Sequence, residues 1–200
     1  SIYEKDVPKA DVDKTKYAAI DLGLDNLATM ATADGCTIYS GKYLKSYNNH
    51  FNKTLSRLQS IKDMQGMKRA TRRIIRMYYK RDRYFEDAFH KVSRQIVDTL
   101  VRNHIGTLVV GYNVGWKQNS DMGKKNNQKF VQMPFARLVD YLRYKCEMID
   151  IEFIAHEESY TSKCDALALE TIGKHESYLG RRVKRGLFRS STGRLINGDQ

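Results

Sequence analysis

An α/β fold with one mixed sheet and flanking helices is what this sequence predicts, and three observations predict it. The chain opens with short apolar and β-branched runs, broken by an Asp-Gly pair at Asp34 and Gly35. The hydrophobic period then lengthens to that of helices through two long stretches. Beyond them a strand pattern, a helix pattern and a second strand pattern alternate, which is the mark of parallel crossover units.

Each element has its own warrant. "SIYEKDVPKADVDKTKY" reads as the end of an upstream strand followed by a charged linker, as in a chain whose upstream part lies elsewhere. "YAAID", Tyr17 to Asp21, is apolar enough for a strand buried on both faces, and Gly23 breaks it. "NLATMATADG" and "CTIYSGKY" are strands joined by the Asp-Gly turn, so the chain begins as an antiparallel meander. From Ser46, Phe51, Leu55, Leu58 and Ile61 recur at helical spacing up to Gly66. A longer helix follows, with Ile74, Tyr78, Phe85, Phe89, Val92, Ile96 and Leu100 on one face and "KRATRR" and "KRDR" on the other. "GTLVVGYNVGW" is a buried strand, and "MPFARLVDYLRYKCEM" is a helix with Pro134 early and Phe135, Leu138, Leu142 and Cys146 as its apolar stripe. "IDIEFIAHEE" returns to strand, and the tail is basic and rich in turn residues. A meander leading into parallel crossovers is the pattern of the ribonuclease H-like fold.

Charge narrows the function. Lys and Arg number 35 against 23 Asp and Glu, a net +12 in 200 residues, and the excess is clustered. Neutralising phosphates releases counterions, so a polyanion is the expected partner. Cys36, Cys146 and Cys164 are odd in number and far apart, which points to a reducing cytosol rather than a disulfide framework. No apolar run approaches the roughly 20 residues of a membrane span, so no membrane partner is expected.

The acids carry the chemistry. Asp21 interrupts an apolar strand, where an ionised carboxylate is costly without a cationic partner. It either caps a backbone amide, pairs with an arginine, or binds metal. Glu157 and Glu158 close the last predicted strand of the sheet, and Asp199 follows Leu195 and Ile196 near the C-terminus. Three carboxylates at one sheet edge repel each other without cations. Two Mg²⁺ or Mn²⁺ ions roughly 4 Å apart turn them into a site for phosphodiester hydrolysis. Successive strand residues face opposite ways, so one of Glu157 and Glu158 faces the metals. The basic clusters are Lys68, Arg69, Arg72, Arg73, Arg76, Lys80, Arg81 and Arg83, then "GRRVKRGLFRSSTGR" with Arg181, Arg182, Lys184, Arg185 and Arg189 around Phe188. Charge mixed with an aromatic suits single-strand contact. In "GWKQNSDMGKKNNQ", Lys117, Lys124 and Lys125 add charge, and Trp116 either stacks on a base or covers the core. His90 reads as packing or capping, and His156 as a core position more than a metal-site contact.

Taken together, "AIDLGLDNLAT", "DAFHKVSRQIV", "LVVGYNVGWKQ", "GKKNNQKFVQMPFARLVDYLRYKCE", "EESYTSKC" and "GRRVKRGLFRSSTGRLINGD" closely resemble the TnpB (OrfB) proteins of insertion sequences, from about Tyr17 to the last residue. The resemblance implies an RNA-guided DNA endonuclease with a RuvC-like nuclease domain, a guide RNA and a target DNA as partners, and a prokaryotic cytosol or nucleoid as its place. It implies an Asp-Glu-Asp triad. Asp21 matches the aspartate of the family's "GIDLG" motif, and Asp199 that of its closing "NADVNAA" motif. The middle acid departs from the pattern: where the family has "VEDLN", this chain reads "VVGYN", with Gly111 and Tyr112 in place of acids. Either the chain is a nuclease-inactive nucleic-acid-binding module or repressor, or another acid serves, with Glu158 the first choice and Glu157 the reserve. The family's paired CxxC motifs are also missing. "YTSKC" keeps only Cys164, with His175 some way on, so a ribbon-like hairpin without zinc is expected from Lys163 to Arg194. The implied organisation is an upstream end and linker over 1–16, a RuvC-like domain over 17–162 and 195–200 with a helical insertion at 46–105, and a degenerate ribbon over 163–194.

Overall fold

The computed structural model describes residues 9–112, 133–156, 163–171, 173–184 and 187–197. Its elements are β1 (Asp13–Leu22), β2 (Asn26–Thr32), β3 (Gly35–Ser40), α1 (Lys42–Met64), α2 (Arg72–Arg102), β4 (Ile105–Gly111), α3 (Phe135–Glu147), β5 (Glu152–His156), β6 (Arg181–Lys184), β7 (Leu187–Arg189) and β8 (Leu195–Asn197). The first five strands form one sheet in the order β3-β2-β1-β4-β5. The two hairpin pairs are antiparallel, and β1–β4 and β4–β5 are parallel. That mixed order is the ribonuclease H-like arrangement, as the sequence predicts.

β1 begins at Asp13 rather than Tyr17, so the end of the charged N-terminal stretch is already strand. Gly106 makes this extension feasible: a Cβ there would lie 2.6 Å from the Asp13 carbonyl carbon and the Lys14 nitrogen. The β1–β4 register shifts between Asp13 and Tyr17, and the Thr107 hydroxyl donates to the Lys14 carbonyl at 3.0 Å.

One face of the sheet carries the core. Ala18, Ile20 and Leu22 of β1 and Leu108 and Val110 of β4 pack with Phe85, Phe89, Ile96 and Leu100 of α2 and Leu138 and Leu142 of α3. Burying each phenylalanine contributes about 1.5–3 kcal/mol. The expectation of a β1 buried on both faces is corrected here. Tyr17, Ala19 and Asp21 alternate with the buried residues and are exposed, because among the described residues the helices cover only the opposite side.

The helical hairpin also differs in detail from its sequence pattern. Thr71 caps α2, its hydroxyl accepting from the Ile74 amide at 3.4 Å. Tyr78 is half exposed, and Ala88, Ser93 and Val97 complete the buried stripe instead. On α1 only Leu44, Asn48 and Phe51 are buried, and Ile61 is exposed, so the far ends of both helices project beyond the core. Edge-to-face packing of Phe51 on Tyr78 and stacking of Tyr47 on Tyr84, with ring centres 5.2 and 4.1 Å apart, hold the hairpin together there. His90 stacks on Tyr141 at 4.0 Å, which is the packing role expected of it. Cys146 is buried, and its thiol is pushed up to about 12 by burial and by the neighbouring Glu147. It is inert as a nucleophile.

The second sheet, β6-β7-β8, is antiparallel throughout. It extends to Asn197, beyond the Arg194 boundary expected for the ribbon-like segment.

Candidate functional site

Asp21 is the next-to-last residue of β1, at the end of the sheet where the parallel strands terminate. Ile20 pairs with Val110, so Asp21 stands one residue further, beside Gly111. Gly111 in turn pairs with His156, and Asp21 pairs with Thr29 on its other side. Register partners share a face, so Thr29, Asp21, Gly111 and His156 form one row across the sheet. The ends of parallel strands are where α/β proteins gather ligands.

Asp21 is exposed, which corrects its reading as a buried ligand. Its carboxylate keeps much of its hydration and needs no ion to offset desolvation. The glycine after it has a turn to make: a Cβ on Gly23 would meet the Asn26 carbonyl oxygen at 2.9 Å. The Gly23 amide donates to the Leu27 carbonyl at 3.4 Å, closing that turn between β1 and β2. His156 is exposed, not part of the core, because β5 is a sheet edge with little cover.

Glu157, Glu158 and Asp199 lie outside the described residues, as do Trp116, Lys117, Lys124, Lys125 and Arg185. Among the described residues, no group of three His, Cys, Asp or Glu side chains stands close enough to hold a metal ion. Asp21 supplies hard oxygen donors of the kind Mg²⁺ or Mn²⁺ prefers.

The ribbon-like segment is organised around a residue the sequence reading passed over. Asp165 is fully buried. One of its oxygens accepts from the Leu167 and Ala168 amides, capping a short 3-10 turn over Ala166–Ala168. The other accepts from the Ser190 hydroxyl at 2.8 Å, the Ser191 amide at 2.6 Å and the Ser191 hydroxyl at 2.9 Å. Burial pushes this carboxyl up, but the serine and amide donors outweigh it and leave it below the ordinary carboxylate range. Glu170 braces the same loop, accepting from the Asp165 amide at 2.6 Å and the Leu179 amide at 3.0 Å. Cys164 is buried, its thiol directed to the Thr171 and Gly173 carbonyls, and His175 meets the Thr171 carbonyl at 2.6 Å. A signal was present: aspartate before Ala-Leu-Ala is an N-cap pattern.

The basic residues divide into two groups. Lys68 and Arg69 precede α2, and Arg72, Arg73, Arg76 and Lys80 lie exposed along its first turns. Arg83 is exposed and sits over the Tyr79 ring at 5.7 Å. Arg81 is different. It donates to the Asn48 side chain at 2.8 Å and lies over Phe51 and Phe85, at 5.3 and 4.6 Å. Burial lowers its pKa, and its first task is to hold α1 to α2. On the small sheet, Arg181 pairs directly with Arg189, and Arg182, Lys184 and Arg189 are all exposed. Like charges directly opposite are destabilising on their own. Phe188 is buried and packs against Gly180, so it is not a base-stacking ring.

The site thus consists of a ribonuclease H-like sheet with an aspartate at the end of its first strand, carried in a strongly basic chain. Residues 1–117 match the OrfB_IS605 family, described as "Probable transposase", and the chain belongs to that family. No curated protein matches it. Among solved structures, a Cas12f1–sgRNA–target DNA complex determined by cryo-EM superposes with a TM-score of 0.65 at 18% identity, over 98% of this chain and 49% of that one. A CRISPR–Cas12f ternary complex gives 0.63 at 18% identity, over 100% of this chain and 39% of that one. At such identity the likeness is one of fold, and the chain spans half or less of either relative's length. Among the described residues no helix is long and apolar enough to cross a membrane.

Proposed function

We propose that this chain is the RuvC-like nuclease portion of an RNA-guided DNA endonuclease, with Asp21, Glu158 and Asp199 as the acids that hold two Mg²⁺ or Mn²⁺ ions. The observation that carries the reading is the position of Asp21: the end of β1 in a ribonuclease H-like sheet, in a member of the transposase family. The ions supply an activated water and stabilise the leaving oxygen when bound. The protein's part is to converge the carboxylates and to hold the nucleic acid on its basic surfaces.

Gly111 cannot serve as the middle acid beside Asp21, and this leads us to Glu158. β5 ends at His156, in Asp21's row, and Glu158 follows it two positions on in the sequence. Glu157 remains the reserve. Guide RNA and target DNA are the partners, and the cytosol or nucleoid is the place. The ribbon-like segment needs no zinc in this reading, since Asp165 and Glu170 tie its loops. We keep the division into a linker over 1–16, a nuclease domain over 17–162 and 195–200 with its helical insertion at 46–105, and a ribbon-like insertion over 163–194 as part of the proposal.

The absence of an acid at Gly111 favours one alternative, a nuclease-inactive binding module of the same family. Cleavage of target DNA by the protein loaded with guide RNA separates the two. The endonuclease reading expects cleavage with Mg²⁺ and none with chelator; binding without cleavage in any divalent metal supports the alternative.

A further inference from the structure

We propose that the groove between α1 and the start of α2 is a binding pocket for an unpaired nucleotide of RNA. The proposal rests on the nucleic-acid-binding reading above and goes beyond it, from a charged face to a built pocket.

The hairpin leaves a concavity of about 310 Å³ at the level where its two helices separate. Its apolar walls are Tyr47, Phe51 and Met77, and His50 and Thr54 add hydrogen-bonding groups. Arg73 and Lys80 stand at its rim, and a second concavity of about 480 Å³ continues past them along Arg72 and Arg76. No acidic residue lines either space. An apolar slot of this size, with a few polar groups and a cationic approach, suits one small planar ligand joined to a polyanion. A nucleobase on its phosphate backbone has that chemistry.

The walls are held before any ligand arrives. Tyr47 is stacked on Tyr84, Phe51 is fixed by the edge of Tyr78, and Arg81 lies over Phe51 while bound to Asn48. Preformed walls lower the cost of ordering on binding. Phe51 is buried, so a base would meet Tyr47 and Met77, which are partly exposed, and RNA loops and bulges splay unpaired bases out for such contact. His50 and Thr54 provide partners for a base edge and also for a 2′-hydroxyl, the group by which a site tells RNA from DNA.

The test uses the whole chain, a single-stranded RNA carrying a fluorescent purine analogue, the same sequence as DNA, and an RNA duplex. The wild-type chain is expected to bind the single strand more tightly than the duplex and to quench the analogue. Thr54→Trp, which fills the groove from α1, is expected to weaken single-strand binding about tenfold, with the salt slope and duplex binding unchanged. Unquenched analogue on the wild-type chain, or equal affinity of Thr54→Trp, overturns the pocket while leaving a salt-dependent polynucleotide binder intact. DNA binding as tightly as RNA overturns the RNA assignment. Dimerisation of the wild-type chain abolished by Thr54→Trp would assign the groove to a second copy instead. Failure to bind any polynucleotide overturns the pocket and the functional reading together.

Discussion

Asp21 and Gly111 each follow directly on the Ile20–Val110 pair, at the ends of two parallel strands. A carboxylate therefore ends the central strand next to a residue with no side chain. That adjacency leaves the row Thr29, Asp21, Gly111, His156 with a single carboxylate among the described residues. Any further acid must come from elsewhere.

Asp21 is exposed, so the proposed function assigns it to the site rather than to the core. Asp21→Asn is expected to alter stability by less than about 1 kcal/mol, read as an unchanged melting temperature. The same variant should lose Mn²⁺ binding in calorimetry. A large fall in melting temperature would make the residue structural.

The two glutamates after β5 make separable predictions. Glu158→Gln is expected to abolish DNA cleavage by the guide-loaded protein and Glu157→Gln to leave most of it, with DNA binding retained in both. Equal activity of both variants to wild type would remove the relocated acid.

The basic residues of α2 divide by what they touch. Replacing Arg72 and Arg76 together by alanine should lower the slope of log affinity against log salt by about 2 for duplex DNA, since each phosphate contact contributes about 0.9. Stability should hold. Arg81→Ala should instead destabilise the chain by about 1–3 kcal/mol, because it removes a hydrogen bond to the buried Asn48 and two ring contacts. Urea unfolding distinguishes the two.

Asp165 should make the ribbon-like segment sensitive to acid. Its folded pKa lies below the ordinary value, so it contributes stability in full above the unfolded carboxylate range near about pH 4. That contribution is lost as pH falls through the lower folded value. Protease cleavage within 163–197 should therefore rise on acidification, and Asp165→Ala should show it already at neutral pH. Unchanged protection in Asp165→Ala would show that the loops do not depend on the carboxylate.

Much of the architecture was legible because its signals are local. The Asp34-Gly35 turn, the apolar runs of β1 and β2, and the α2 stripe from Phe85 to Leu100 all sit within a few residues of what they specify. Pairing partners far along the chain left no such trace. Tyr17 and Ala19 are apolar whether or not anything covers them, so the open face of β1 was invisible. Arg81 looks like its neighbours in a charge run, and only Asn48 and Phe51, brought in from α1, show its different role. Asp165 finds Ser190 and Ser191 across 25 and 26 positions, which no periodicity announces.

The most direct test of the central claim is cleavage of a labelled target DNA by the guide-loaded protein as Mg²⁺ is titrated, with Asp21→Asn alongside. The account predicts metal-dependent cutting by the native protein and none by the variant, while both bind the target equally. Cutting that survives the substitution would contradict it.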